Sequence, residues 1–168
     1  MSEDKVHPHE EVEEIAFGVV TVSSSRTLAE DDSGDSIAEA IESDGKAVAT
    51  RELVTDDREE IAATFEALVE RPDIDAIVST GGTGLSPEDV TVEAVLPLLD
   101  QEIPGFGELF RYLSYEDVGP HALLSRAFAG SRDGVVIFCL PGSEQAATFG
   151  TEELILPTVA HILGHTQG

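Results

Sequence analysis

From Ser79 to Val90 the chain reads Ser-Thr-Gly-Gly-Thr-Gly-Leu-Ser-Pro-Glu-Asp-Val, and these residue types at this spacing could handle phosphate. Glycines at 81, 82 and 84 let the backbone reach φ > 0 and approach a ligand with no side chain between. The N–H groups of Thr80, Gly81, Gly82, Thr83 and Gly84 could then cradle an anion, and the N-terminus of a following helix would add its dipole. Asp89 closes the stretch, where a carboxylate can cap a helix or hold a divalent cation. On composition alone two readings stay open: a phosphate cradle, or a tight strand-to-helix turn with Asp89 as its cap. The Lys-Ser/Thr ending of a Walker A loop is absent.

A second acid, Asp56, sits in Leu53-Val54-Thr55-Asp56-Asp57, after one apolar run and before a helical pattern. Two carboxylates beside a triphosphate can hold Mg²⁺, which offsets phosphate charge and orients the reacting oxygens. Asp56 or Asp57 would serve equally well as a helix N-cap. Pro141-Gly142-Ser143 is a third candidate, a rigid turn opening a helix and again presenting N–H groups. The fourth is Ser23-Ser24-Ser25-Arg26 with Asp32-Ser33-Gly34, which offers hydroxyls and a guanidinium to a polar ligand. Arg111, Arg126 and Arg132 are further scarce cations, each able to pair with a neighbouring acid.

These pieces need a scaffold, and the apolar periodicity supplies one. Ile15–Val22, Ala47–Leu53, Asp75–Ser79 and Gly134–Leu140 read as buried strands. Helical patterns occupy Asp35–Glu42, the stretch around Ile61, Phe65, Leu68 and Val69, then Thr91–Leu99, Phe106–Leu113 and Ser143–Leu163. Pro157 lacks a donor N–H and must kink or divide the last of these. Continuous apolar strands alternating with helices predict a three-layer α/β/α sandwich on a mostly parallel sheet. Such sheets bind ligands beyond the carboxyl ends of their strands, which directs attention to loops 23–34, 80–90 and 140–143. Residues 1–14 form an acidic, aperiodic segment expected to be a flexible tail, and 15–168 form one domain. His7 and His9 in that tail fall short of the four or so ligands of a structural metal site.

The 168 residues carry 34 acids against 9 basic side chains, a formal charge of −25. That balance argues against a nucleic-acid partner, which needs clustered Lys and Arg. Self-repulsion on this scale destabilises the compact state at low salt, and at ~1 M salt the Debye length shrinks to ~3 Å. The charge therefore suggests adaptation to a salt-rich cytoplasm of haloarchaeal type, and the melting temperature should rise between low and molar KCl. A flat melting temperature across that range would remove the inference. No run approaches the apolar length of a membrane span, and the acidic start Met1-Ser2-Glu3-Asp4 differs from a secretory signal, so cytoplasmic residence is expected. The one cysteine, Cys139, lies in an apolar run and reads as a core residue.

In this order the motifs resemble one family, the MoaB/MogA molybdenum-cofactor biosynthesis proteins. The resemblance spans about residues 15–160. It rests on Thr21-Val22-Ser23, Asp32-Ser33-Gly34, the block from Ser79 to Ala94, Pro104-Gly105-Phe106-Gly107-Glu108-Leu109-Phe110-Arg111, Leu124-Ser125-Arg126 and Leu140-Pro141-Gly142-Ser143. In detail it is closer to the MoaB branch. The resemblance implies a molybdopterin-binding domain whose catalytic members join molybdopterin to AMP from ATP, with Mg²⁺, releasing pyrophosphate. It places the two catalytic, metal-holding aspartates on Asp56 and Asp89. Thr80–Gly84 and Pro141-Gly142-Ser143 would bound the nucleotide, while Ser24, Ser25, Arg26, Ser33 and Gly34 would face the pterin. It further implies a homo-oligomer, trimer or hexamer, and contact with other proteins of the pathway. The alternative within the same resemblance is a non-catalytic molybdopterin-binding or hand-over protein. The chain departs from the family pattern at Glu88, where Arg is common, and at Val92 and Glu144, where Pro is common. Glu88 removes a positive charge beside the expected phosphates.

Overall fold

The computed structural model describes residues 14–167; residues 1–13 of the expected tail, His7 and His9 among them, lie outside the described residues. Six strands form one sheet: β1 (Ala16–Val22), β2 (Ala47–Val54), β3 (Ala76–Thr80), β4 (Gln101–Glu102), β5 (Phe128–Arg132) and β6 (Val135–Leu140), in the order β2-β1-β3-β6-β5-β4. The four apolar runs pair in parallel, as their lack of alternation predicts. All six residues of β6 are buried, since that strand is covered on both faces.

The two remaining strands are antiparallel and were not read from the sequence. β5 turns into β6 through Asp133 and Gly134, whose φ angles of 49° and 82° suit the two-residue turn that an Asp-Gly pair favours. The Asp-Gly pair was the available signal. β5 itself, Phe-Ala-Gly-Ser-Arg, lacks the branched run of the other strands. Its Gly130 lets β4 approach closely, because a Cβ there would stand 2.5 Å from the Gln101 carbonyl oxygen.

The helices are α1 (Asp32–Ser43), α2 (Arg58–Val69), α3 (Thr91–Val95), α4 (Pro104–Val118), α5 (Glu144–Gly150) and α6 (Leu156–Thr166). α1 begins three residues before the apolar pattern does, because the buried Asp31 carboxylate accepts the Gly34 N–H at 3.0 Å and caps the helix. The expected helix over Thr91–Leu99 is only five residues of α-helix before Leu96–Leu98 tightens into a 3₁₀ turn at Pro97. α5 and α6 are joined without a break by a π-helical stretch, Thr151–Ile155. That wider turn sits where Pro157 can donate no hydrogen bond to the preceding turn, and it absorbs the irregularity expected there.

Two cores flank the sheet. Phe17, Val19, Val78, Val136 and Phe138 face α1, α4, α5 and α6, with Phe106 tilted on Phe138 at 5.3 Å. Val20, Ile77 and Ile137 face Ile61, Phe65 and Leu68 of α2, together with α3. α1 and α2 thus lie on opposite faces, and the connections from β1 and β3 leave the sheet in opposite directions. Cys139 belongs to the second core, and burial pushes its thiol up to about 12 against the opposing effect of a hydrogen bond with Ser79. A thiolate is the reactive form, so the folded protein should resist thiol reagents at pH 8 and react once denatured. Equal labelling rates with and without denaturant would contradict this placement.

Candidate functional site

The reversal of strand connections between β1 and β3 opens a crevice at their carboxyl ends, the place where open α/β sheets hold ligands. The cavity there is about 410 Å³, lined by Ser23–Ser25, Asp56, Gly81–Gly84, Glu88, Asp89, Pro141 and Gly142. Three segments flagged from sequence, 23–25, 81–89 and 141–142, therefore meet with Asp56 around one space.

The glycines are there because the backbone is crowded. Gly81 has φ 103°, and a Cβ on it would lie 2.3 Å from the Val22 carbonyl oxygen. Gly82 has φ 75°, with a Cβ position 2.1 Å from Thr91 Oγ1. The Thr91 hydroxyl instead donates to the Gly81 carbonyl at 2.9 Å, folding the loop back on α3. The Gly81 N–H is spent on the Leu140 carbonyl at 3.0 Å, which ties β3 to β6. Thr83 is different: its hydroxyl is buried with no hydrogen-bond partner among the described residues, although the residue lines the cavity.

Both carboxylates are aimed by their surroundings. Asp56 Oδ2 accepts the Ser24 N–H at 3.1 Å and the Ser24 hydroxyl at 2.8 Å, while the Asp56 N–H donates to Ser24 Oγ at 3.0 Å. The loops after β1 and β2 are thereby stapled together. The neighbouring Asp57 is the N-cap of α2, accepting the Glu60 N–H at 2.8 Å. Division of labour between the adjacent acids is clear: Asp57 starts the helix and Asp56 faces the cavity. Asp89 Oδ2 accepts the Ser86 N–H at 3.0 Å, and no side chain caps α3. The helix after this loop, expected to add its dipole, is α3, whose five residues are too few for much macrodipole, and residues 85–90 separate it from the glycines.

Several expected binding residues sit behind the cavity wall. Thr80 is buried, and its hydroxyl donates to the Pro141 carbonyl at 2.7 Å. Ser33, also buried, donates to the Gly142 carbonyl at 2.8 Å and accepts from Arg26 Nη1 at 3.2 Å. Gly34 packs on Asp31, where a Cβ would stand 2.0 Å from the carboxylate. Ser143 caps α5 by accepting the Ala146 N–H at 3.2 Å and lines a second, smaller cavity of about 150 Å³ with Phe110, Phe149 and Asp117. Pro141 borders both spaces.

Two residues carry more of this architecture than their sequence context suggested. Asp31, buried, also receives the Thr21 hydroxyl at 2.6 Å and Arg51 Nη2 at 3.0 Å. Arg126 does not reach the cavity as a free cation. Its Nε donates to the Gly84 carbonyl at 2.9 Å, its Nη2 to the Asp89 carbonyl at 3.0 Å and its Nη1 to Glu93 at 2.5 Å. Its own N–H donates to the Thr83 carbonyl at 2.9 Å. Among the described residues, no lysine or arginine lines the cavity.

The donor set suits a hard, oxygen-preferring ion. Mg²⁺ takes one or two carboxylates and completes its shell with water and substrate phosphates, and Asp56 and Asp89 line one space. Among the described residues no group of three or more His, Cys, Asp or Glu converges as an all-protein metal cage.

A doubly wound α/β domain with a glycine loop and two oriented aspartates at its switch point defines a class of small open-sheet proteins with a ligand crevice at the carboxyl ends of the strands. Within that class this chain belongs to the MoaB/MogA family: residues 18–161 match the family described as "Probable molybdopterin binding domain". It is 43% identical to molybdenum cofactor biosynthesis protein B of Bacillus cereus over 157 residues, 93% of each chain. To the protein of the same name in Staphylococcus aureus it is 45% identical over 152 residues, 89% of this chain and 90% of the other. The fold is shared with a crystal structure of molybdenum cofactor biosynthesis protein B, at TM-score 0.89 and 42% identity over 92% of this chain and 96% of that one. It is likewise shared with the tungsten cofactor synthesizing protein MoaB of Pyrococcus furiosus, at TM-score 0.82 and 41% identity over 94% and 99% of the two chains.

Proposed function

We propose that this protein acts in molybdenum cofactor biosynthesis by transferring AMP from Mg-ATP to molybdopterin. A terminal phosphate oxygen of molybdopterin attacks the α-phosphorus of ATP, the bond to the β-phosphate breaks, and pyrophosphate leaves. Such transfers depend on positioning and charge stabilisation more than on covalent chemistry by the protein. Bound Mg²⁺ would neutralise the phosphates and orient the reacting oxygens. The observation that carries the reading is the meeting of Asp56 and Asp89 with the glycine loop around one cavity.

In this scheme Asp56 and Asp89 hold the cation side of the phosphates. Gly82, Thr83 and Gly84 bring backbone close to them. Ser24 and Ser25 border the same space; Arg26 and Ser33 act on it through Gly142. The test is direct: incubate protein, molybdopterin and Mg-ATP at molar KCl and follow adenylylated pterin and pyrophosphate. Pterin retained without product would leave the second reading, a molybdopterin-binding or hand-over protein. Glu88 favours that second reading, because it adds an acid to a cavity that, among the described residues, is lined by no basic side chain.

We also propose a homo-oligomer. Leu109, Tyr112, Tyr115 and Val118 of α4 and Leu123 just beyond it are exposed large apolar side chains, Tyr112 to 71%. An apolar surface of that kind beside polar residues suits a partner copy. Light scattering during gel filtration reads the stoichiometry.

A further inference from the structure

The last turns of α6 carry a feature that the proposed reaction leaves unused. His161 and His165 stand at i and i+4, so their rings share one face of the helix. Both are exposed. Their Nε2 atoms are 3.2 Å apart, with ring centroids at 4.8 Å and planes at 77°. In the metal-free chain this approach is an N–H···N contact in which one ring donates. A metal ion with M–N bonds of the usual length and cis angles between square and tetrahedral needs two nitrogens roughly 2.9–3.4 Å apart. The pair already stands at chelating distance.

We propose that His161 and His165 form a bidentate site for a late first-row divalent cation, the imidazole-preferring class of Cu²⁺, Ni²⁺ and Zn²⁺, with water completing the coordination. On binding, both rings carry their proton on Nδ1, and both Nε2 lone pairs face the ion. Two further features draw a cation to this place. The site lies at the carbonyl end of a helix, where the backbone dipole is negative, and the chain as a whole carries −25. It is also distant in the fold from the proposed Mg²⁺ position. The Thr166 hydroxyl meets the Gly134 carbonyl at 3.4 Å, which sets the end of α6 beside the β5–β6 turn, at the sheet edge opposite Asp56 and Asp89. An ion held across one helical turn staples the final turns of α6, so its binding energy adds to folding stability.

The test is calorimetric titration of the full chain with CuCl₂ and, separately, ZnCl₂ in molar KCl, with Mg²⁺ present to occupy oxygen sites. One ion per chain is expected, Cu²⁺ tighter than Zn²⁺, with a melting temperature that rises on addition and falls back with a chelator. His161→Ala and His165→Ala should each weaken binding at least ~10-fold, since each removes half of the chelate. The Cu²⁺ form should show two-nitrogen hyperfine structure in its electron paramagnetic resonance spectrum. Unchanged affinity in the double variant overturns the site, as does binding that persists there but disappears in a His7→Ala/His9→Ala variant. Absence of saturable uptake by the wild-type chain overturns it as well.

Discussion

Asp89→Asn is expected to slow adenylyl transfer by roughly 10²–10³-fold, the loss typical of removing one preorganised electrostatic partner of a transition state. Molybdopterin binding should survive. The reason is local. Asp89 Oδ2 is held by the Ser86 N–H at 3.0 Å, and an Asn oxygen can accept the same bond, so the 86–89 turn keeps its shape. What disappears is one negative charge lining the cavity and, in the proposed scheme, a ligand for Mg²⁺. The effect therefore belongs to kcat more than to stability. Single-turnover measurements of adenylylated pterin at saturating Mg-ATP, alongside a thermal melt, separate the two. Wild-type turnover by the Asn variant would remove Asp89 from the mechanism, and a collapsed melting temperature would mean that its role is structural.

The second large effect is expected from Arg126→Lys, a change that keeps the charge. Arg126 spans the loop: one planar guanidinium reaches the Gly84 and Asp89 carbonyls and the Glu93 carboxylate, while its backbone N–H holds Thr83. An ammonium has no such fork and cannot meet all three acceptors. Stranding two partly buried carbonyls should cost about 1–3 kcal/mol. The same loosening should raise KM for ATP and lower kcat together, by about tenfold in kcat/KM for each 1.4 kcal/mol of transition-state stabilisation lost. Arg126 also holds the Glu93 carboxyl below its ordinary value through their hydrogen bond. Because the folded value is the lower one, this contribution is present above the ordinary carboxylate range and fades as pH falls through it. In the Lys variant that acid-side loss should shrink. A Lys variant with wild-type kinetics would show that the loop holds its form without the clamp.

The fold was legible in the sequence wherever burial on both faces demanded continuous apolar residues. β1, β2, β3 and β6 were read to within a residue or two, because such runs have few other uses. β4 and β5 escaped because an antiparallel edge is held by turn geometry, here Asp133-Gly134, and by the room that Gly130 leaves. The site was legible in part. Glycines at 81 and 82 announced positive φ, and the carboxyl-edge rule pointed to loops that do meet.

By itself, then, the sequence determined that a glycine-rich loop would end in an acid at the carboxyl edge of a mostly parallel sheet, since local chemistry and strand periodicity are properties of neighbouring residues. It could not choose between Asp56 and Asp57, because either can cap a helix. Only the tertiary structure decided that: Ser24, 32 residues away, holds Asp56 toward the cavity, while Asp57 turns to Glu60. It likewise decided that Ser33 and Thr80 support the wall and that Arg126 binds the loop's carbonyls. Those roles rest on hydrogen bonds between groups far apart in the chain, and their direction is set by packing that no local spacing encodes.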